Sequence, residues 1–89
     1  LDLQVIPAIK EISSISVASD PSHATFWRDW VPPMSLASIS AGADSIMIEV
    51  HPDPKNAAVD PLQPINFKSF KALMNQMDKT AKAISRKVL

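Results

Sequence analysis

The chain has 89 residues, room for one domain at most, and its 46% apolar and 20% charged composition is that of an ordinary soluble globular protein. It contains no cysteine, which excludes a disulfide framework and any thiolate metal ligand from this chain. Formal net charge is zero but unevenly spread: residues 1–65 set Lys10, Arg28 and Lys55 against eight acids, and residues 66–89 set six bases against Asp78 alone. Such asymmetry reads as a solvated basic helix face, with the acids gathered elsewhere, rather than as a nucleic-acid or membrane tail. No apolar run approaches the roughly 20 residues needed to cross a bilayer. The start, Leu1-Asp2-Leu3, has no basic signal-peptide region, so the expected location is the cytoplasm, or an organelle interior if the chain is processed. A start without methionine fits a processed or partial piece.

In chain order, Asp2 reads as the N-cap of a first helix in which Leu3, Ile6 and Ile9 recur at helical spacing, with Pro7 confined to the first turns. Ile15 to Ser19 reads as a strand covered on both faces, because the run is apolar and bounded by polar residues. Asp20-Pro21 stops it, and residues 22–31 read as a loop holding Phe26, Trp27 and Trp30, an apolar surface suited to packing or contact. Pro32-Pro33 opens a second helix of small residues, and Gly42 is its C′ stop. Ser45 to Val50 is the second strand, with Ile46, Ile48 and Val50 on one face and Met47 and Glu49 on the other. Residues 51–65 form a proline-rich loop. Asn66 caps a final helix whose stripe is Phe67, Phe70, Leu73, Met74, Met77, Ala81, Ile84 and Val88. A single glycine implies few backbone positions with positive φ, hence few tight turns.

Alternating helix and strand predicts an α/β protein with parallel strands and right-handed crossovers. Two parallel strands leave unpaired edges, so the chain is incomplete alone and requires a wider sheet, from the remainder of a barrel or from another protein chain. Chemistry-bearing residues gather at the two strand ends: His23 shortly after the first, Glu49 and His51 at the second, with Asp53 and Asp60 in the following loop. A glutamate inside an apolar run is costly unless paired or metal-bound, which makes Glu49 the most informative residue of the set.

Asp20-Pro21-Ser22-His23-Ala24-Thr25, Val31-Pro32-Pro33, Ala41-Gly42-Ala43-Asp44 and Met47-Ile48-Glu49-Val50-His51-Pro52-Asp53-Pro54-Lys55-Asn56-Ala57 resemble the C-terminal part of 3-deoxy-D-arabino-heptulosonate 7-phosphate (DAHP) synthase, of the type related to 3-deoxy-octulosonate 8-phosphate synthase. The resemblance covers essentially the whole chain. It implies that residues 1–89 are the βαβα last quarter of a (β/α)8 TIM barrel, with two parallel strands and three helices. It further implies a transferase that condenses phosphoenolpyruvate with erythrose 4-phosphate in the shikimate pathway of aromatic amino acid biosynthesis. The implied cofactor is a divalent metal, Mn, Fe, Zn or Co. His23, Glu49 and Asp60 match three of its ligands; the fourth, a cysteine, and the phosphate-binding residues belong to earlier strands. His51 and Asp53 are expected to support the ligands or shape their loop, and Arg28 is a candidate contact for a phosphorylated small-molecule substrate.

The chain departs from the pattern where Phe26, Ser45 and Pro61 stand in place of glycines. The alternative expectation is therefore a diverged, non-catalytic structural or interaction subunit of a larger assembly. In either case the 89-residue chain alone is expected to be inactive.

Overall fold

The computed structural model describes residues 1–88. Four α-helices and two short strands follow in the order α1 (Val5–Ile12), β1 (Ala18–Ser19), α2 (Pro21–Thr25), α3 (Val31–Ala41), β2 (Ser45–Ile46) and α4 (Phe67–Ala83), with 3₁₀ turns at Arg28–Trp30 and Pro54–Asn56. The strands pair in parallel, Ala18 with Ser45 and Ser19 with Ile46. Val50 then bridges in parallel to Ile65, which carries the line of β2 toward the loop before α4.

Both strands are shorter than their apolar runs. Pairing ends where partners end: among the described residues the sheet has only these two strands. The expectation of a first strand covered on both faces is not met, since Ile15 is 67% exposed. Among the described residues no further strand pairs at that edge.

The main core lies between α3, β2 and α4. Val31, Ile39, Ile65, Leu73, Met77 and Ala81 are buried together, with Ile46, Ile48, Val50, Phe70 and Met74 packed against them. The small residues of α3 permit this approach: Ser35 and Ser38 are fully buried, each hydroxyl donating to a carbonyl one turn back, Val31 at 2.7 Å and Met34 at 2.8 Å. Ser38 also shares a buried 2.8 Å hydrogen bond with Ser19, fastening α3 to the end of β1. Asn66 caps α4 as expected, its Oδ1 accepting from the Ser69 N–H at 2.8 Å.

Three differences from the sequence expectation have local causes. Residues 21–25 are helix rather than loop, because Asp20 caps them and Pro21, at the first helical position, is pre-set for helical φ. The last helix ends at Ala83 rather than running through Val88. The Arg86 N–H returns to Ala81 O at 2.7 Å and the Ser85 N–H to Lys82 O at 3.1 Å, a Schellman ending with Ser85 left-handed at φ 61°. Finally, one glycine does not mean few left-handed positions. Phe26 (φ 55°), Asp60 (φ 50°) and Ser85 adopt them as well as Gly42 (φ 107°).

At the opposite end of the strands from the candidate site, Asp44 ties three segments together. Lys10 of α1 donates to both carboxylate oxygens at 2.8 and 2.9 Å, the Val17 N–H donates at 2.8 Å, and Arg86 donates at 2.9 Å while also reaching the Ala43 carbonyl at 2.8 Å. The Schellman turn after α4 is what swings Arg86 back to this point.

The Lys10 hydrogen bond, followed by the one from Val17, holds the Asp44 carboxyl at about 2, below its usual 3.8. Its folded pKa is depressed, so the stabilisation is complete above the ordinary carboxylate range and is lost as pH falls through about 4 toward about 2. In Asp44→Asn the fall in stability over that window should be shallower, and stability at neutral pH lower, as read by denaturant unfolding of the full polypeptide at a series of pH values. Phe26 is 62% exposed in a left-handed conformation that an L side chain resists by about 1–2 kcal/mol. Phe26→Gly should therefore stabilise by about 1 kcal/mol, while Phe26→Ala should not, in the same unfolding measurement.

Candidate metal centre

The parallel register sets the site. It brings the segment after Ser19 alongside the segment after Ile46, fixed by the Met47 N–H donating to Ser19 O at 2.8 Å. α2 starts at once on the first segment, while the second stays extended. Ser22, fully buried in α2, accepts from the Glu49 N–H at 3.0 Å. The residue next to His23 is thus bonded to the backbone of Glu49.

His23, Glu49 and Asp60 come together: one ligand-capable atom from each lies within 4.8 Å of the others. His23 Nε2 contacts Glu49 Oε1 directly. Its Nδ1–H donates to Asp20 Oδ2 at 2.6 Å, since an ionised carboxylate can only accept. Gln63, 2% exposed, donates weakly to Glu49 Oε1 at 3.4 Å.

Asp60 sits in the long loop, and Arg28 fixes that loop. The Arg28 backbone N–H donates to Leu62 O at 3.0 Å, its Nε donates to the same oxygen at 3.3 Å, and its Nη2 donates to Pro61 O. The guanidinium is thus committed to the two carbonyls just after Asp60, and it makes no ion pair with Glu49 among the described residues.

His51 and Asp53 organise their own turn. His51 Nδ1 accepts from the Asp53 N–H at 2.9 Å, and Asp53 Oδ2 accepts from Asn56 at 2.6 Å. Neither belongs to the three-residue donor cluster.

The hydrogen bond that the ring donates to Asp20 is the largest cause raising the His23 pKa above its usual 6.5, with desolvation opposing and the charges of Asp20, Glu49 and Asp60 adding to the rise. One imidazole and two carboxylates form a mixed N/O donor set suited to first-row divalent cations. The carboxylate behind the imidazole repeats the arrangement by which metal-bound histidines are usually oriented. The donors present therefore fit a divalent cation.

Sequence reasoning missed Asp20, Ser22 and Gln63 as parts of the site. A signal existed for the first: Asp, then Pro, then His three residues on is the spacing of an N-cap whose side chain faces the third helical residue. Nothing local marked Ser22 or Gln63, whose partners are 27 and 14 residues away.

The chain is similar to proteins of known family and structure. Residues 1–86 match the DAHP synthetase I family. A phospho-2-dehydro-3-deoxyheptonate aldolase from Thermotoga maritima is 42% identical over 88 residues, covering 99% of this chain and 26% of that protein. A 2-dehydro-3-deoxyphosphooctonate aldolase from Caulobacter vibrioides is 31% identical over 84 residues, covering 82% of this chain and 29% of that protein. A truncated form of 3-deoxy-D-arabino-heptulosonate 7-phosphate synthase from Thermotoga maritima superposes with a TM-score of 0.97 at 42% identity, over 100% of this chain and 34% of the other. The chain thus spans between a quarter and a third of the length of these relatives. With 86 of its 89 residues matched, it belongs to the DAHP synthetase I family.

Proposed function

We propose that residues 1–89 are the C-terminal βαβα segment of a (β/α)8 barrel, and that the complete barrel is a metal-dependent DAHP synthase condensing phosphoenolpyruvate with erythrose 4-phosphate. The observation that carries this reading is the convergence of His23, Glu49 and Asp60, from three separate stretches of chain, at the C-terminal ends of paired parallel strands. Active sites of such barrels lie at that face. The same convergence favours a working site over the diverged, non-catalytic alternative.

In this reading His23 offers Nε2, and Glu49 and Asp60 each offer a carboxylate oxygen. When bound, a cation such as Mn²⁺, Fe²⁺, Zn²⁺ or Co²⁺ supplies Lewis-acid polarisation of the aldehyde carbonyl and a template for its orientation. Glu49 and Asp60 bring negative charge that favours the cation. Arg28, by clamping the Pro61 and Leu62 carbonyls, sets where Asp60 projects. Contact between Arg28 and a substrate phosphate then falls to the N–H groups these carbonyls leave free. His51 and Asp53 stiffen the turn that follows Glu49. The preceding strands of the barrel supply the remaining donor and the phosphate-binding residues. No described helix is long and apolar enough to cross a membrane, and a cytoplasmic or organelle-interior setting suits phosphorylated substrates.

Two outcomes test the proposal. The full polypeptide should lose synthase activity on exhaustive chelation and regain it on adding Mn²⁺ or Co²⁺. His23→Ala or Glu49→Gln should each weaken cation binding by more than about 100-fold, beyond what loss of a supporting group does. Retention of activity after complete metal removal would overturn the reading. The second outcome concerns pH. A cation requires the neutral imidazole, and the His23 pKa is raised, so affinity should decline as pH falls through a value above 6.5, read by isothermal titration. In the metal-free protein the sign is opposite for stability. The contribution of protonated His23 is complete below 6.5 and disappears as pH rises through the raised value.

A further inference from the structure

The side chain of His23 is about half exposed, 48%, and sits on a helix of five residues. Packing alone does not select one rotamer or one ring orientation for such a residue. A neutral imidazole also has two tautomers, and only the one protonated at Nδ1 leaves a lone pair on Nε2, the nitrogen that faces Glu49. Something must choose among these states if His23 is to act as a ligand.

Asp20 supplies that choice, and its two oxygens divide the work. Oδ1 accepts from the His23 backbone N–H at 3.1 Å and caps α2. Oδ2 accepts from the ring Nδ1–H at 2.6 Å. The carboxylate is itself anchored by its place between the last residue of β1 and Pro21, which is buried. The same helical turn carries Ser22, bonded to the Glu49 backbone, so the ring is oriented relative to a partner whose distance is already fixed.

We propose that Asp20 is a positioning residue for the cation site: by accepting from Nδ1–H it turns Nε2 toward Glu49 and Asp60, and it keeps the proton on Nδ1 when the neutral ring offers Nε2 to a cation. The inference deepens the metal-binding reading given above and rests on it.

The test separates the cap from the lock. Asp20→Ser keeps a hydroxyl that caps α2 but has no second oxygen for the ring. Asp20→Asn keeps the shape and the capping oxygen, but its amide N–H₂ then faces Nδ1. A donor there favours the proton on Nε2, the tautomer that cannot ligate through Nε2. The full polypeptide, labelled with ¹⁵N-histidine and freed of metal, is examined by NMR at alkaline pH, and Co²⁺ is titrated in with its visible d–d absorption as the readout. The wild type should show the Nδ1–H tautomer and bind Co²⁺. Asp20→Asn should shift His23 to the Nε2–H tautomer. Both variants should bind Co²⁺ about 10- to 100-fold more weakly, the range seen when a ligand loses its orienting partner, with Tm within about 2 °C of wild type.

If both variants bind Co²⁺ within about twofold of wild type, or if the affinity loss follows the loss in Tm across the two, Asp20 is a helix cap alone. The inference then fails while the cation site stands. A wild type that binds no Co²⁺ overturns both.

Discussion

The parallel pairing of Ala18–Ser19 with Ser45–Ile46 is the constraint on which the rest depends. Only two residue pairs define it, yet it decides which residues of the following segments face each other. Side chains alternate along a strand, so a slip of one residue would send Glu49 to the opposite face and separate it from His23. Two fastenings hold the register from outside the ladder. Ser19 and Ser38 share a buried hydroxyl contact that ties β1 to α3, and Ser22 accepts from the Glu49 N–H. Small polar residues serve here because only they fit where helix and strand approach so closely, and each has its hydrogen-bonding capacity used. Among the described residues no buried side-chain polar atom lacks a partner.

The two ends of the strands carry different tasks. At the N-terminal end Asp44 collects Lys10, Val17 and Arg86, joining the first helix, the strand edge and the turn after the last helix. At the C-terminal end the acids and the imidazole converge, and among the described residues no lysine or arginine is ion-paired to them. The charge asymmetry along the sequence thus resolves in space only in part. Arg86 returns to an acid of the N-terminal half, and Lys82 pairs within α4 with Asp78. Among the described residues Glu49 and Asp60 at the candidate metal centre pair with no lysine or arginine, and neither do Asp2, Glu11, Asp29 and Asp53 elsewhere.

The sequence made much of this plan legible, for identifiable reasons. Strand order and the face on which the donors gather followed from apolar runs that end shortly before His23 and around Glu49, since periodicity and the cost of a carboxylate in an apolar run are local signals. The Asn66 cap and the Gly42 stop were legible because each uses the residue type that its geometry favours. The short helix Pro21–Thr25 was not, because a proline that opens a helix also looks like one that ends a strand. Left-handed Ser85 gave no warning, since serine does not suggest that conformation, and for Phe26 the one hint was that it stands where the resembled pattern has glycine. Asp44 and Arg28 were opaque for another reason: their partners lie 27 to 42 residues away in sequence, and only the assembled chain shows who they are.

The bare flank of β1 has a consequence of its own. Ile12 and Ile15, 86% and 67% exposed, lead into a strand that among the described residues is paired on one edge only. Such a flank is a template that accepts any extended peptide, including another molecule of the same sequence. Were this stretch released by proteolysis or made apart from its neighbours, copies would be prone to stack flank to flank. Its persistence in a cell would then depend less on its own folding free energy than on how quickly the flank is covered.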